Sequence, residues 1–209
     1  MVADEIIITG SRISSSDFYD IPSVALEKKA DFLLQKVRLS NDSRDPKLRI
    51  REVITTINDL LRVAKKTKGI SLSYGEGFLT PVKINDGGLK FISDGKREDA
   101  NHVDIYVKVR ITKDVKKQIK KLTHFISNAK LHGRTEIDEM GDIGISINNP
   151  QQYRYDIIQK VADENDKIRK ILGSKCQVVV HGLEGRVQWE RISLSELMLF
   201  IGYSLETRC

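Results

Sequence analysis

A strict alternation of apolar and polar residues between positions 102 and 112 constrains the fold of this chain more than any other feature. The period of two predicts a β-strand with one buried face, because successive side chains of a strand point to opposite sides. The apolar members are Val103, Ile105, Val107, Val109 and Ile111. The pattern continues with a basic amphipathic helix, two short strands at 135–137 and 143–147, a second helix and a strand at 177–181. This order predicts a β-α-β module.

The first half of the chain has the same order of predicted elements. Asp45 and Pro46 have the residue types of a helix start, and the apolar stripe that follows them ends before Gly69. The predicted strands of this half are Glu5–Ile13, 30–39, 70–74 and 78–84, with a turn rich in Ser, Asp and Pro at 14–23. Residues 85–101 are rich in glycine and charge, which predicts a long surface loop between the halves.

The predicted fold class is therefore α+β, with repeated β-α-β units and a mixed or antiparallel sheet packed against about three amphipathic helices. A strand and loop at 1–23 precede one domain, 24–209, which carries the surface loop 85–101.

The last third of the chain predicts a helix and three strands. Asn149 is placed as an N-cap, Pro150 as the first helical residue and Gln152 as the partner in a capping box. Gly173 is the predicted end, and Asn165 interrupts the apolar stripe as a hydrogen-bonded core or interface residue. The predicted buried positions of this helix are Ile157, Ile158, Val161, Ile168 and Leu172, and the strands are 177–181, 187–192 and 197–205.

Composition and charge exclude several classes of protein. With 40% hydrophobic and 31% charged residues the chain is an ordinary globular one, and no apolar run approaches the roughly 20 residues of a membrane-spanning helix. The acidic start, with Asp4 and Glu5, lacks the basic and apolar regions of a signal peptide. We therefore expect a cytoplasmic protein, or one whose chain begins after a removed signal. Cys176 is predicted to be a small buried strand residue, and Cys209 a free thiol or an intermolecular bridge.

One family resemblance rests on the second half of the chain. The strand, the lysine-rich helix from Lys113, the segment Gly144–Pro150, the long helix ending at Gly173 and the strand Lys175–Val180 resemble the SIMPL-domain family, which includes bacterial periplasmic immunogenic proteins. The similarity extends over residues 24–205, although the third helix lacks the alanine content of that family. The resemblance implies an α+β fold, a periplasmic or outer-membrane-associated protein and ring-like oligomers. It implies no catalytic residues.

A second resemblance concerns the segment Glu5–Ile13, which is similar to the start of the plug in TonB-dependent receptors. Such receptors require a long barrel after the plug, for which 209 residues are too few. The similarity indicates a shared strand-turn composition, or at most an envelope location. A fragment related to such a plug is the remotest alternative.

Residues for catalysis or metal binding do not form a recognisable motif. The four histidines are His102, His124, His132 and His181, and neither they nor the cysteines have metal-ligand spacing. No GxSxG, GxxxxGK[ST] or GxGxxG sequence occurs. We therefore expect no enzymatic activity, no cofactor and no metal.

The helix predicted from Lys113 to about Lys130 carries the candidate functional surface. Its lysines lie opposite an apolar face formed by Val115, Ile119, Leu122, Ile126 and Ala129, and they are Lys113, Lys116, Lys117, Lys120 and Lys121, with His124 on the same side. A solvated helix face is one interpretation, and a site for an anionic surface or an acidic protein partner is the other. Lysine without arginine or aromatic residues favours diffuse attraction, so no sequence-specific nucleic-acid binding is expected. A nucleic-acid-binding module remains the alternative function.

Two segments near the C-terminus bear on assembly. Gly182–Gly185 has the spacing of a KH-domain GxxG loop, but a strand pattern follows it, which favours a hairpin turn. Trp189 is then either an inward partner of Val187 or an exposed anchor at an oligomer edge. The apolar run 197–201 must lie in a sheet centre or between subunits, because a bare edge of this kind aggregates. We expect a non-enzymatic homo-oligomer that acts as a scaffold or interaction module.

Overall fold

Antiparallel sheets and α-helices share the chain in nearly equal parts. The computed structural model describes residues 5–8, 22–76, 78–94, 97–173 and 175–209, with the backbone alone at 5–8, 94 and 97–99. About a third of the residues are helical and 38% form strands, which confirms the α+β class. The strand predicted at Glu5–Ile13 is described only at Glu5–Ile8, and most of the turn at 14–23 lies outside the described residues.

The described elements follow one another along the chain as three helices and twelve strands. The helices are α1 (Pro46–Lys66), α2 (Val115–Ser127) and α3 (Arg154–Leu172), with a short 3-10 helix at Pro150–Tyr153. The strands are β1 (Glu5–Ile8), β2 (Leu26–Lys29), β3 (Phe32–Asn41), β4 (Ile70–Tyr74), β5 (Thr80–Pro81), β6 (Ile92–Asp94), β7 (Arg97–Arg110), β8 (Thr135–Asn148), β9 (Gln177–His181), β10 (Gln188–Arg191), β11 (Glu196–Phe200) and β12 (Ser204–Arg208).

The main sheet is built from two interlocked β-α-β units. Its order is β1-β8-β3-β7-β4-β5, with β6 beside β7, and every described pairing is antiparallel. The units β3-α1-β4 and β7-α2-β8 each join two parallel strands. The strand β7 lies between β3 and β4, and the strand β3 lies between β8 and β7. The order 8-3-7-4 is that of a ferredoxin-like βαββαβ sheet. The predicted repetition is thus present, but the units are interleaved and not stacked in sequence.

The helix α1 begins where its sequence predicts. The Asp45 carboxylate accepts a hydrogen bond from the Lys47 amide at 2.9 Å, and Pro46 occupies the first turn. The helix ends at Lys66 and its C-cap is Thr67, two residues before the predicted Gly69. Its buried apolar residues are Val53, Ile57, Leu60, Leu61 and Ala64, whereas Ile50 of the same helix is exposed.

The core lies between the main sheet and the helices α1 and α2. The apolar odd-numbered residues of β3 and those from 103 to 109 in β7, such as Val37 and Ile105, face these helices and are buried. A small sheet of three strands, in the order β10-β11-β2, adds Leu197 and Leu199 to the same core. The opposite face of the main sheet holds a smaller cluster formed by Leu34, Leu79 and Tyr106.

Two predictions about the strands of the main sheet are wrong. The strands predicted at 135–137 and 143–147 are one strand, β8, which crosses a register shift opposite Gln35. The Gln35 side chain donates hydrogen bonds to the carbonyls of Met140 and Gly141, at 3.1 and 3.2 Å, and so carries the pairing across the shift. Of the residues between the predicted strands, 138–140 pair in register with β3, and 141–142 belong to an irregularity within the sheet.

The segment 85–101 is also not a single surface loop. Its second part contributes β6 and the start of β7, which pair with each other. Its first part is fastened to α1, because the Asn58 side chain donates to Asn85 Oδ1 at 2.7 Å and accepts from the Asn85 amide at 3.0 Å. The Asp86 carboxylate accepts from the amides of Lys83 and Gly88, both at 2.9 Å. Only Thr80–Pro81 of the predicted strand 78–84 is a strand.

The helix α3 differs from its prediction at its start and on its buried face. Asn149 has a left-handed backbone, with φ 43°, and its side chain caps nothing, because a 3-10 turn precedes the α-helix. Gln152 donates to the Asn148 carbonyl at 3.1 Å and forms no capping box. Gly173 ends the helix as predicted. Only Ile157 and Val161 are buried, whereas Leu172 is exposed. Ile157 belongs to the core cluster of the main sheet, and the helix also packs on β9.

The C-terminal strands also depart from the sequence prediction. The strand predicted at 197–205 is divided into β11, which pairs with β10 and β2, and β12, which pairs with β9 in a two-stranded C-terminal ribbon. The run 197–201 lies mostly in the central strand of the small sheet, with Leu197, Leu199 and Ile201 buried.

The cysteine prediction is wrong for both residues, since Cys176 and Cys209 form one intrachain disulfide at the end of the ribbon. Neither a free thiol nor an intermolecular bridge is available from them.

Candidate functional site

The lysines of α2 form an exposed basic face. The Asp114 side chain starts the helix by accepting a hydrogen bond from the Lys117 amide at 2.9 Å. On the inner side Leu122, Phe125 and Ile126 are buried against the core, so the opposite side must face water. The lysine face comprises the exposed residues Lys113, Lys116, Lys117 and Lys120. Four positive charges within about two helical turns attract anions without fixing their orientation.

The other basic side chains near α2 contact groups of the same chain. Lys121, predicted with the lysine face, is half-buried and donates its ammonium to the Lys68 carbonyl, which ties α2 to the turn after α1. The Lys130 ammonium lies 4.0 Å from the Asp59 carboxylate. His124 is exposed at the end of α2 and its Nδ1 is 3.0 Å from the Asn128 amide nitrogen. The basic surface is therefore smaller than the sequence predicts.

A polar cluster that the sequence did not predict surrounds Asp59 of α1. The His132 Nε2 atom lies 2.8 Å from Asp59 Oδ2, and Arg62 lies 2.5 Å from Oδ1. The hydrogen bonds from His132 and Arg62 lower the pKa of the Asp59 carboxyl. The His132 amide also donates to the Thr56 hydroxyl at 3.1 Å. The pair resembles a catalytic His–Asp dyad in geometry, but its contacts fasten the loop 128–134 to α1.

A second unpredicted cluster encloses the Glu52 carboxylate. Glu52 Oε2 accepts hydrogen bonds from the side chains of Asn41 and Ser43, both at 2.8 Å, and from the Arg134 amide at 3.2 Å. These donors lower the pKa of Glu52, with Asn41 the largest cause. Gly133 has φ 59°, and a Cβ atom there would collide with the Glu52 carboxylate. The Oε2 atom thus accepts three hydrogen bonds from its own chain, and these contacts join α1, β3 and the loop before β8.

The third cluster lies on the face of the main sheet that points away from the helices. Asp104 accepts two hydrogen bonds from Arg38, at 2.8 and 3.0 Å, and lies 2.9 Å from the Lys36 ammonium. Burial alone would raise the pKa of Asp104, but the hydrogen bonds and positive charges of Arg38 and Lys36 lower it to about 2. Neighbouring strands supply all three side chains, so alternation alone predicted a polar face but not its pairing.

The histidines remain apart from one another. His132 binds Asp59, while His181 lies 3.3 Å from Glu206 in the C-terminal ribbon. Among the residues that the structure describes, no group of three or more His, Cys, Asp or Glu side chains is arranged to hold a metal ion.

The segment Gly182–Gly185 is a tight turn, but the strands on its two sides belong to different sheets, so it closes no hairpin. The Arg154 guanidinium donates to the carbonyls of Leu183 and Gly185, which fixes the turn to the start of α3. Two of its four backbone carbonyls thus bind this arginine, and the turn is followed by a strand.

No protein-family model matches this chain, and no curated protein matches it. The resemblance to the SIMPL-domain family therefore stays a prediction. In the described part of the chain, no helix is long and apolar enough to cross a bilayer.

Proposed function

We propose that the protein is a non-enzymatic, homo-oligomeric scaffold or interaction module of the bacterial cell envelope. The observation that carries the proposal is the unburied apolar surface of α3. Only Ile157 and Val161 of its 19 residues are buried, and Ile171 is 83% exposed. Helices of globular proteins bury their apolar residues, so the exposed apolar residues at the end of α3, beyond its buried and half-buried stripe, are suited to be buried against another chain.

The exposed apolar residues of this region form the proposed interface. Ile171 and Leu172 lie at the end of α3, and Leu205 is exposed on β12 of the ribbon that packs with this helix through β9. The disulfide between Cys176 and Cys209 makes the ribbon a stable part of that surface. A second copy of the chain is the occupant we propose, which agrees with the oligomers that the family resemblance implies.

The disulfide also supports the proposed compartment. Disulfides persist in oxidising environments such as the periplasm and the cell surface and are rare in the cytosol. An intrachain bond between Cys176 and Cys209 is therefore expected in an exported protein. The proposed absence of catalysis is supported by the two unpredicted carboxylate clusters of α1, because the chain's own donors occupy Glu52 and Asp59.

Size exclusion coupled to light scattering tests the assembly. We expect wild type to elute as an oligomer and Ile171→Asp to shift toward the 23.7 kDa monomer, because a charge would be buried in the interface. Val63→Asp is the matched control, since Val63 is an exposed apolar residue on α1, outside the proposed interface. A monodisperse wild-type monomer at high micromolar concentration contradicts the proposal.

Anion binding on the lysine face is the second candidate function. It is favoured by the common exposure of Lys113, Lys116, Lys117 and Lys120. We expect labelled DNA, double- or single-stranded, to bind weakly at low salt and to dissociate at physiological salt, because lysine–phosphate contacts depend on counterion release. The variant Lys117→Glu/Lys120→Glu should lose this binding yet keep its melting temperature, since exposed substitutions cost within about 0.5 kcal/mol. Tight, sequence-selective binding at physiological salt would overturn the scaffold proposal, and a large fall in melting temperature would show a buried face.

A further inference from the structure

A cavity of about 700 Å³ opens beside the strand β10. Five consecutive residues, 186–190, form one wall, and Gln151 and Phe78 belong to the others. Trp189, which is half-buried against the main core, lines the cavity, and Phe200 of the neighbouring strand β11 lines it as well. The volume lies within the range of about 300–1,000 Å³ that is typical of binding pockets. The cavity therefore combines aromatic walls with a segment of extended backbone.

The strand β10 is an edge strand of the small sheet. Among the described strands it pairs with β11 alone, so its other edge borders the cavity. The direction of its backbone groups follows from two observations. The Ile192 amide donates to the Glu196 carbonyl at 3.1 Å, toward β11. The Val187 carbonyl and amide instead face outward, where they bond to the Gln151 side chain at 3.3 and 3.2 Å.

Backbone groups of an antiparallel strand alternate between its two edges. Because Val187 faces outward and Ile192 faces β11, the backbone of Trp189 must face outward, into the cavity. The Gln151 carboxamide supplies one donor and one acceptor to Val187, which is the pattern that a neighbouring strand would supply. The Gln151 carboxamide thus occupies the first hydrogen-bonding position along this edge, at Val187. The next such position is the backbone of Trp189, two residues later.

We propose that the outer edge of β10 binds an extended peptide segment of a partner protein by strand addition. Backbone hydrogen bonds to Trp189 hold the segment, and an aromatic or large aliphatic side chain enters the cavity beside the Trp189 indole. Arg186 selects an acidic side chain on the same segment, since it is exposed at the end of the cavity and forms no ion pair within the described chain. The site lies on β10 and not on α3, so it does not depend on the proposed assembly.

The probe is a short synthetic peptide that alternates threonine and valine, with a central phenylalanine and an aspartate two positions away, labelled with fluorescein. We expect saturable binding to the full chain by fluorescence anisotropy, and a shift of the Trp189 amide signal by NMR. Arg186→Glu should weaken binding about tenfold or more, because it places a like charge against the aspartate. Arg44→Glu, the same change at an exposed arginine before α1, should leave binding unchanged.

The same peptide with N-methylated amides is the decisive control, because it keeps every side chain and loses the backbone donors. It should not bind. Equal binding of the methylated peptide, or no binding of the parent peptide to wild type, overturns the proposal. A Trp189 amide signal that shifts with protein concentration alone assigns the edge to a second copy and likewise overturns it. Light scattering on the same samples keeps this result separate from the oligomeric state.

Discussion

The negative charge of Asp104, on the polar face of the main sheet, is stabilised by two neighbouring cations. Asp104 lies between Lys36 and Arg38 with its pKa lowered to about 2, below the value of about 3.9 for an unfolded aspartate. A lowered folded-state pKa contributes stability that is present above about pH 4 and is lost as the pH falls toward 2. The polar face of β3 and β7 therefore depends on an ionised carboxylate.

Acid titration of stability tests this residue. We expect Asp104→Asn to lower the free energy of unfolding at pH 7, and the difference from wild type to shrink between pH 4 and pH 2, because protonation removes the same charge. Urea unfolding at a series of pH values measures it. Asp163→Asn removes an exposed carboxylate of α3 and should leave the pH dependence as in wild type. Curves of wild type and Asp104→Asn that stay parallel over this interval would contradict the assignment.

At the scale of elements, polar contacts fasten the loop before β8 to α1. Glu52 and Asp59 hold this loop through Arg134, His132 and the close approach of Gly133. The apolar stripe of α1 packs on the sheet, while its flank carries this second connection. The amphipathic pattern of the sequence predicts the packing of α1 on the sheet but not the polar contacts of its flank.

Two glycines with similar backbone angles allow the cost of backbone strain to be measured apart from the cost of steric crowding. Gly133 and Gly141 have φ 59° and 66°, but a Cβ atom meets the Glu52 carboxylate at Gly133 and nothing within 4 Å at Gly141. Gly141→Ala should cost about 1–2 kcal/mol from the left-handed backbone alone. Gly133→Ala should cost about 1–3 kcal/mol more, because the carboxylate network must move. Denaturant unfolding of both variants gives the difference in the free energy of unfolding. Equal losses of stability would show that the Glu52 side chain moves aside without cost.

At the scale of the whole molecule, the disulfide joins the C-terminus to the start of β9 across a separation of 33 residues. The strands β9 to β12 lie between these cysteines in sequence, so the bond closes a loop that contains two of the three strands of the small sheet, β10 and β11. In the chain-entropy description, a loop of this length stabilises the folded state by about 3–4 kcal/mol. This is a large share of the stability of a single domain.

Removal of the bond tests this contribution. The Cys176→Ser/Cys209→Ser variant should melt roughly 10 °C below wild type, on the scale of about 2–4 °C per kcal/mol for a chain of this size. Dithiothreitol should lower the melting temperature of wild type and leave that of the double variant unchanged. A wild-type protein that is indifferent to reductant would show that the bond is absent in solution or contributes nothing.

The sequence by itself determined the elements that depend on local periodicity. The strands β4 and β9 and the start of α1 lie where the pattern predicts them, because alternation, helical periodicity and the Asp45–Pro46 start act over a few residues. The repeated β-α-β order follows from the same local signals. The exposed side of α2 was predictable for the same reason, and four of its five predicted lysines are exposed.

Only the tertiary structure decided which distant residues meet. The bond of Cys176 to Cys209, the continuity of β8 past Gln35 and the enclosure of Glu52 each join residues far apart in sequence. The outward edge of β10 likewise depends on Gln151, which lies 36 residues away from Val187. Such contacts leave no local period, because they arise from the register of strands and the closure of loops. The interleaving of the two β-α-β units has this same physical origin.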